Sequence, residues 1–314
     1  RWYVGNDKAH GYNEINPDYS IDSFGRFIPA LNRFPSAANG KGFKPLAAYI
    51  HDKGLKFGIH IMRGIPVIAV NKNSNIEGTA IGAKAIYSSK DQGTWLHDMY
   101  TIDASKKGAQ EYYNSLFKLY AFWGLDFVKV DDLTAPYHKE EVEMIRNAID
   151  NCGREIILST SPGETPITEA VHIQNHANMW RTVGDFWDSW SQLKEHFSVF
   201  ERWNKWRIKG AYPDGDMLPL GHIGIRAERG EPRMSAFTKD EQYTLMTLWS
   251  IFKSPLMFGG NFPDNDVFTL SLLTNKNMLA VLNYSTNNRQ LYNNGNQVVW
   301  TADDSKSTDK YLAF

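Results

Sequence analysis

The chain has 314 residues with a formal net charge of −1 at pH 7, and its 34 basic and 35 acidic residues are well mixed. No basic stripe therefore indicates nucleic-acid binding, and no acidic tail indicates a solvating arm. The single cysteine, Cys152, excludes an internal disulfide, no spacing fits a zinc site, and we find no membrane-length apolar run or signal peptide.

The predicted elements alternate between strands and helices, which is typical of parallel β/α units. Strands are predicted at 1–4, 56–62, 127–130, 155–159, 179–183, 210–212 and 255–258. Helices are predicted at 43–53, at 105–122 with Ser105 as its cap, at 139–150, at 189–206, and at 241–252 behind a capping box. Seven strands predict a (β/α)8 barrel whose first strand would precede Arg1.

Two segments stand outside this alternation. Residues 65–98 form a polar insertion with Gly and Ser, predicted to be a loop over the top of the barrel. From Tyr284 onward, Asn, Gly and Ser alternate with short apolar pairs, which predicts the start of a small β domain. We therefore expect an α/β barrel at 1–283 and the beginning of a C-terminal antiparallel β domain at 284–314.

The central stretch of the chain is the strand predicted at 127–130. It is apolar except for Lys129, and Asp131 and Asp132 follow it directly. A lysine in an apolar strand is costly unless it is paired, and charge at the carboxyl end of a barrel strand is typical of an active site. Lys129 and Asp131 share one strand face, so the lysine favours an ionised carboxylate. A solvated acidic turn explains this stretch, taken alone, equally well.

Carboxylates also follow later strands, at Asp185, Asp188, Asp214 and Asp216. In a barrel the strand ends converge on one mouth, so such residues meet there. Two facing carboxyl groups can divide glycoside hydrolysis between a nucleophile and an acid/base. Arg181 is a candidate contact for sugar hydroxyls or for a carboxylate.

Each candidate also has a structural alternative. Asp132 and Asp188 are predicted more readily as helix N-caps than as catalytic groups. The alternative role for Asp214 is to shape a turn with Gly215, without a part in the site. His60 is as readily a hydrogen-bonded core histidine as a substrate contact.

A magnesium site is a further alternative, because strand-end acids hold Mg²⁺ in barrels that form enolates. Three tryptophans interleave with these acids, and such aromatic walls favour a neutral, ring-shaped ligand: Trp180, Trp187 and Trp190. Spacing alone indicates a barrel enzyme with a carboxylate site.

Five segments, in order, resemble glycoside hydrolase family 27, which contains α-galactosidases and α-N-acetylgalactosaminidases. They are YIHDKGLKFGIHI (49–61), WGLDFVKVDD (123–132), WRTVGDFWDSW (180–190), DGDML (214–218) and TLWSIFKSPLMFGGN (247–261). The resemblance spans about residues 1–283. It implies a (β/α)8 barrel followed by an antiparallel β domain, and a retaining mechanism that uses neither metal nor cofactor.

The resemblance also implies roles for individual residues. The family's K-x-D strand end falls on Lys129 and Asp131, which implies that Asp131 is the nucleophile and Lys129 a ligand of a substrate hydroxyl. The family's R-x-x-x-D block falls on Arg181 and Asp185, which implies that Asp185 is the acid/base and Arg181 a sugar contact. Retention then requires the two carboxyl groups to lie roughly 5–5.5 Å apart.

The remaining motifs depart from the family pattern. The D-P-D-M block falls on 214–217 with glycine for proline, and implies that Asp216 and Met217 lie near the substrate. His60 stands where the family often has tyrosine, and is a candidate substrate contact. Part of the family's acidic pair on the second strand would precede Arg1, and the insertion at 65–98 replaces a loop that commonly carries a cysteine.

The resemblance implies that the residues after the fifth barrel strand select the sugar. In this chain that segment is STSPGE (159–164). Small residues such as Ser161 leave room for an acetamido group, whereas Glu164 can fill that space. We expect an exo-acting α-galactosidase, with N-acetylgalactosamine or L-arabinopyranose as alternative sugars and a non-catalytic carbohydrate-binding barrel as the alternative class. The substrate class predicts export to a periplasm or to the cell exterior, and the oligomeric state stays open, a homo-oligomer included.

Overall fold

The computed structural model describes residues 2, 4, 18–90, 97–225 and 230–314. The chain divides into two compact units. The first comprises Arg1–Ser161 with His176–Asn178, and the second comprises Pro162–Asn175 with Met179–Phe314. Of the strand predicted at 1–4, residues 1 and 3 lie outside the described residues.

The first unit contains a parallel array of strands with helices between them. Its strands are β1 (Gly58–Met62), β2 (Ile65–Pro66), β3 (Tyr87–Ser88), β4 (Met99–Ile102), β5 (Phe127–Asp131) and β6 (Ile157–Thr160). Its helices are α1 (Lys44–Asp52), α2 (Val67–Lys72), α3 (Ala109–Trp123) and α4 (Lys139–Asp150). β5 pairs in parallel with β1 on one side and with β6 on the other. These elements confirm the β/α alternation predicted for this part of the chain.

Side-chain alternation on β5 decides which residues point away from the core. Val128 and Val130 are fully buried, whereas Lys129 and Asp131 are half-buried. Successive side chains of a strand point to opposite faces, so Lys129 and Asp131 share the other face, as predicted. The register places His60 of β1 directly opposite Lys129.

Two expectations for this unit were wrong. The helix predicted from Ser105 begins at Ala109, because Ser105 belongs to a turn in which its hydroxyl donates to Asp103. The insertion at 65–98 is more than a loop. It supplies α2 and the strands β2 and β3, both of which pair antiparallel with β4. Such short antiparallel pairs have too few residues for a visible alternation of apolar and polar positions.

A charged cluster lies at the start of β5, around the carboxylate of Asp126. Its oxygens accept hydrogen bonds from His51 Nε2 at 2.7 Å, Arg154 Nη2 at 2.6 Å and the Phe57 backbone N–H at 2.8 Å. Burial raises the pKa of Asp126, but these donors outweigh it and leave the pKa below the ordinary value. The ionised carboxylate therefore ties α1 and the segment before β6 to the start of β5.

Replacing Asp126 by asparagine should lower the free energy of unfolding by about 1–3 kcal/mol at pH 7, since three donors lose a charged acceptor. A carboxylate whose folded pKa is depressed stabilises the protein above its unfolded pKa and loses that contribution as pH falls through the folded pKa. The difference in free energy of unfolding between wild type and Asp126→Asn should therefore become smaller below about pH 4. Urea unfolding at pH 7 and pH 3 checks this, and an equal gap at both values would contradict it.

The second unit contains two parallel strands and a separate antiparallel sheet. Its strands are β7 (Met179–Arg181), β8 (Tyr212–Asp214), β9 (His222–Ile223), β10 (Arg233–Met234), β11 (Ser285–Asn293), β12 (Val298–Asp304) and β13 (Lys310–Ala313). Its helices are α6 (Trp190–Trp203), α7 (Lys239–Phe252), α8 (Val267–Leu273) and α9 (Lys276–Tyr284), while α5 (Ala170–His176) runs from the second unit into the first. β7 and β8 are parallel, and β11, β12 and β13 form an antiparallel sheet.

Most expectations for this unit are confirmed. The capping box is present, because the Thr238 backbone N–H donates to the Glu241 side chain and the Glu241 N–H donates to the Thr238 hydroxyl. The antiparallel sheet expected after Tyr284 is present, with Trp300 buried against Phe252. The strand predicted at 255–258 is reduced to a single bridge between Leu218 and Phe258.

Among the described helices, none combines the length and apolar character needed to cross a membrane.

Candidate active site

The first group of predicted site residues gathers around the Asp131 carboxylate, at the carboxyl end of β5. Its Oδ1 atom accepts hydrogen bonds from Ser161 Oγ and from the Asp132 backbone N–H, both at 3.0 Å. Its Oδ2 atom lies 3.0 Å from His60 Nε2. β1, β5 and the residue after β6 thus converge on a single carboxylate, as the parallel register requires.

Electrostatics keep Asp131 ionised. Burial raises its pKa, but the hydrogen bond and charge of His60, together with the charge of Lys129, outweigh burial and lower the pKa to about 2. Since an ionised carboxylate can only accept, His60 Nε2 must carry the hydrogen of their hydrogen bond. The result is a half-buried, charged nucleophile candidate at neutral pH.

Behind this carboxylate lies a buried charged network that we did not predict. Arg63 donates to Glu141 Oε2 at 2.8 Å and to Thr101 Oγ1 at 2.9 Å, and its guanidinium lies 3.1 Å from Asp132 Oδ2. Tyr113 donates to the other Glu141 oxygen at 2.6 Å. Arg63 and Glu141 are each only 3% exposed. The network fixes the residue that follows the candidate nucleophile.

Asp132 is therefore not the helix N-cap that we expected. α4 begins seven residues later, at Lys139, with His138 at its N-cap position. Asp132 adopts a left-handed backbone conformation with φ of 60° and pairs with Arg63. This unfavourable conformation turns the chain at the strand end and aims the Asp132 N–H at Asp131 Oδ1.

The second group of predicted site residues gathers around Arg181, at the end of β7. Its Nη1 atom lies 2.8 Å from Asp216 Oδ1, and its Nη2 atom lies 3.3 Å from Asp185 Oδ1. Arg181 is 3% exposed, whereas the Asp185 side chain is 58% exposed. A buried arginine thus holds one enclosed and one accessible carboxylate, and Asp185 is free to meet a ligand.

The segment 214–217 is shaped by close packing. A Cβ atom at Gly215 would lie 2.4 Å from the Phe200 ring, so only glycine fits there. Asp216 has φ of 74°, and its Oδ2 accepts the Phe186 N–H at 2.8 Å. Gly215 thus lets the chain pass Phe200 and bring Asp216 to Arg181. Met217 is half-buried and packs closely against Gly259.

Asp188 is likewise not an N-cap. Ser189 occupies the N-cap position of α6, and Asp188 instead accepts hydrogen bonds from Arg233 Nη2 at 2.5 Å and from the Ala236 N–H at 2.7 Å. It fastens the segment that contains β10 to the start of α6. The Asp214 side chain does shape its turn, by accepting the Asp216 N–H at 2.9 Å.

Comparison with known proteins now places the chain. Residues 85–284 match the profile of the family described as Alpha galactosidase A. The chain is a member of glycoside hydrolase family 27. Curated relatives include alpha-galactosidase 2 of Arabidopsis thaliana, 29% identical over 87% of this chain and 58% of that protein. Human alpha-galactosidase A is 26% identical over 83% of this chain and 51% of that protein. The chain thus spans little more than half the length of these relatives.

Solved structures of family 27 fix the fold. The β-L-arabinopyranosidase of Geobacillus stearothermophilus is 52% identical, with a TM-score of 0.94 over 98% of this chain and 72% of that chain. A Bacillus halodurans C-125 protein with a provisional α-N-acetylgalactosaminidase name is 48% identical, with a TM-score of 0.83 over 97% of this chain and 70% of that chain. The predicted barrel class with a C-terminal antiparallel β domain is confirmed, whereas the roles of individual site residues stay predictions.

Proposed function

We propose that this chain hydrolyses terminal α-galactoside-type linkages with retention of configuration. The observation that carries the proposal is the Asp131 carboxylate, which three donors hold ionised and oriented at a strand end. An ionised carboxylate fixed in a mostly buried position is the group that a double displacement needs as its nucleophile. Membership of family 27 gives this site its reaction class.

The proposed mechanism assigns Asp185 the second role. In the first step Asp131 attacks the anomeric carbon while the departing oxygen takes a proton from Asp185. In the second step Asp185 accepts a proton from water as the water oxygen replaces Asp131 on the sugar. The exposure of Asp185 suits a group that must exchange protons with water. Lys129, Arg181, Asp216 and Met217 are the proposed sugar contacts.

Two sugars fit this proposal. Galactose is the substrate named for the curated relatives, and β-L-arabinopyranose is the sugar named for the relative that is 52% identical. β-L-arabinopyranose has the ring and anomeric arrangement of α-D-galactose without its hydroxymethyl group, so one site can accept both. The high identity favours testing arabinopyranosides beside galactosides from the start.

A panel of p-nitrophenyl glycosides tests the proposal. It should contain α-D-galactoside, β-L-arabinopyranoside and N-acetyl-α-D-galactosaminide, with β-D-galactoside as the stereochemical control. We expect release from the galactoside, the arabinopyranoside or both, and none from the β-D-galactoside. Folded protein that releases nothing from any member would contradict the proposal and favour a carbohydrate-binding role. Export of the protein, inferred from the substrate class, stays part of this proposal.

A further inference from the structure

The two oxygens of the Asp131 carboxylate have different surroundings. Oδ1 receives two hydrogen bonds, from the Ser161 hydroxyl and from the Asp132 N–H. In the part of the chain that the structure describes, Oδ2 receives one, from His60 Nε2. A carboxylate oxygen offers about two lone-pair directions. Both directions are therefore used at Oδ1, and one remains available at Oδ2.

We propose that Asp131 attacks the sugar through Oδ2 and that His60 is the positioning residue of that oxygen. This inference rests on the proposed function. Attack through Oδ1 would require the Ser161 or the Asp132 hydrogen bond to break first. The Asp132 N–H cannot turn away easily, because the left-handed backbone of Asp132 is fixed by the buried Arg63. Attack through Oδ2 leaves all three hydrogen bonds in place.

The two chemical steps use His60 differently. In the first step an Oδ2 electron pair forms the bond to the anomeric carbon, and the pair of the broken glycosidic bond leaves on the departing oxygen, which is protonated. In the second step a water oxygen bonds to that carbon, a water proton goes to the base, and the carbon–Oδ2 pair returns to Asp131. Negative charge thus reappears on Oδ2 as the ester breaks. A donor at Oδ2 stabilises that charge, so His60 should speed the second step.

The surroundings of His60 suit this role. It lies on β1, opposite Lys129 in the register, and its side chain is 38% exposed. Its neighbours Ile59 and Ile61 are buried and anchor the strand. A substitution at His60 therefore changes a half-exposed side chain rather than the core, and His60→Phe should still fold. From the sequence alone, His60 was a candidate sugar contact or a core histidine. Neither alternative includes its hydrogen bond to Asp131.

Trapping the intermediate tests which oxygen attacks. The probe is 5-fluoro-α-D-galactosyl fluoride, or the corresponding arabinopyranosyl fluoride if the glycoside panel selects that sugar. A crystal structure of the labelled protein should show the anomeric carbon bonded to Oδ2, with Ser161 and Asp132 still donating to Oδ1. A bond to Oδ1 would overturn the inference while leaving the proposed function intact. Failure to label at all, in protein that also releases nothing from the panel, would overturn both.

Kinetics of three proteins test the part played by His60. With an activated aryl glycoside, His60→Phe should slow breakdown of the intermediate by about tenfold to a hundredfold, the loss expected for a hydrogen bond to a charged group. It should then show a burst of nitrophenolate, and both kcat and KM should fall. His60→Gln keeps an N–H donor and should recover part of the rate. No burst and unchanged kcat in His60→Phe would overturn the role of His60, as would equal behaviour of the two variants.

Discussion

Replacing Asp131 by asparagine should reduce kcat/KM for the best glycoside of the panel by about a thousandfold or more, which corresponds to roughly 4 kcal/mol of transition-state stabilisation. The amide has nearly the shape of the carboxylate, and its oxygen can still accept the hydrogen bonds of Ser161 and Asp132. It lacks the charge and nucleophilicity needed to form a glycosyl ester. Initial rates measured at enzyme concentrations high enough to detect residual turnover check this expectation.

Asp126→Asn provides the matched control, because it makes the same substitution at the residue that directly precedes β5, whereas Asp131 is the last residue of β5. Asp126 is held by His51 and Arg154 rather than by any predicted site residue. At pH 7 this variant should lose stability but keep kcat/KM within about twofold. Asp131→Asn activity within tenfold of wild type would contradict the assignment of the nucleophile. Equal losses in both variants would mean that activity tracks stability rather than the Asp131 charge.

Replacing Arg63 by methionine should lower the free energy of unfolding by about 3–5 kcal/mol at pH 7, the cost of leaving a buried charge without its partner. The variant removes the donor to Glu141 and Thr101 and the cation beside Asp132. Urea unfolding of both proteins measures the difference. Arg146→Met is the control, because Arg146 pairs with Asp150, whose side chain is 59% exposed, and such i,i+4 pairs contribute under about 1 kcal/mol.

The Arg63→Met effect should depend on pH in a defined direction. Burial raises the pKa of Glu141, and Arg63 partly offsets that rise. Without Arg63 the pKa of Glu141 in the folded state should rise further, while its pKa in the unfolded state stays at about 4.3. A raised folded pKa means that stability falls as pH rises from the unfolded value to the folded one. The variant's deficit should therefore be smaller at pH 5 than at pH 7, and a larger deficit at pH 5 would contradict this account.

The regular elements could be predicted because their signals are local. The helix at 139–150 has the bounds that its charge and apolar spacing indicate, and the Thr238–Glu241 capping box is the one that its spacing predicts. The start of α3 was missed because the signal at Ser105 is ambiguous: a serine forms a turn with a nearby aspartate as readily as it caps a helix. The short strands of the insertion at 65–98 leave no periodic pattern to detect.

The site could be predicted only in part, because the partners of its carboxylates are distant in sequence. Asp131 was identified from its place at a strand end, whereas its contact with His60 depends on the register of β1 and β5. The capping roles given to Asp132 and Asp188 failed for the same reason, since each binds an arginine far along the chain. Glu141 lies in a helix of ordinary amphipathic pattern, and only its burial in the fold reveals its pairing with Arg63.

The stereochemistry of the first-formed product tests the central claim most directly. Hydrolysis of p-nitrophenyl α-D-galactoside, or of the β-L-arabinopyranoside if that is the better substrate, can be followed by proton NMR before mutarotation sets in. Double displacement through Asp131 predicts that the first free sugar has the anomeric configuration of the substrate. A first product of the opposite configuration would mean that water attacks the sugar directly and would exclude Asp131 as a covalent nucleophile.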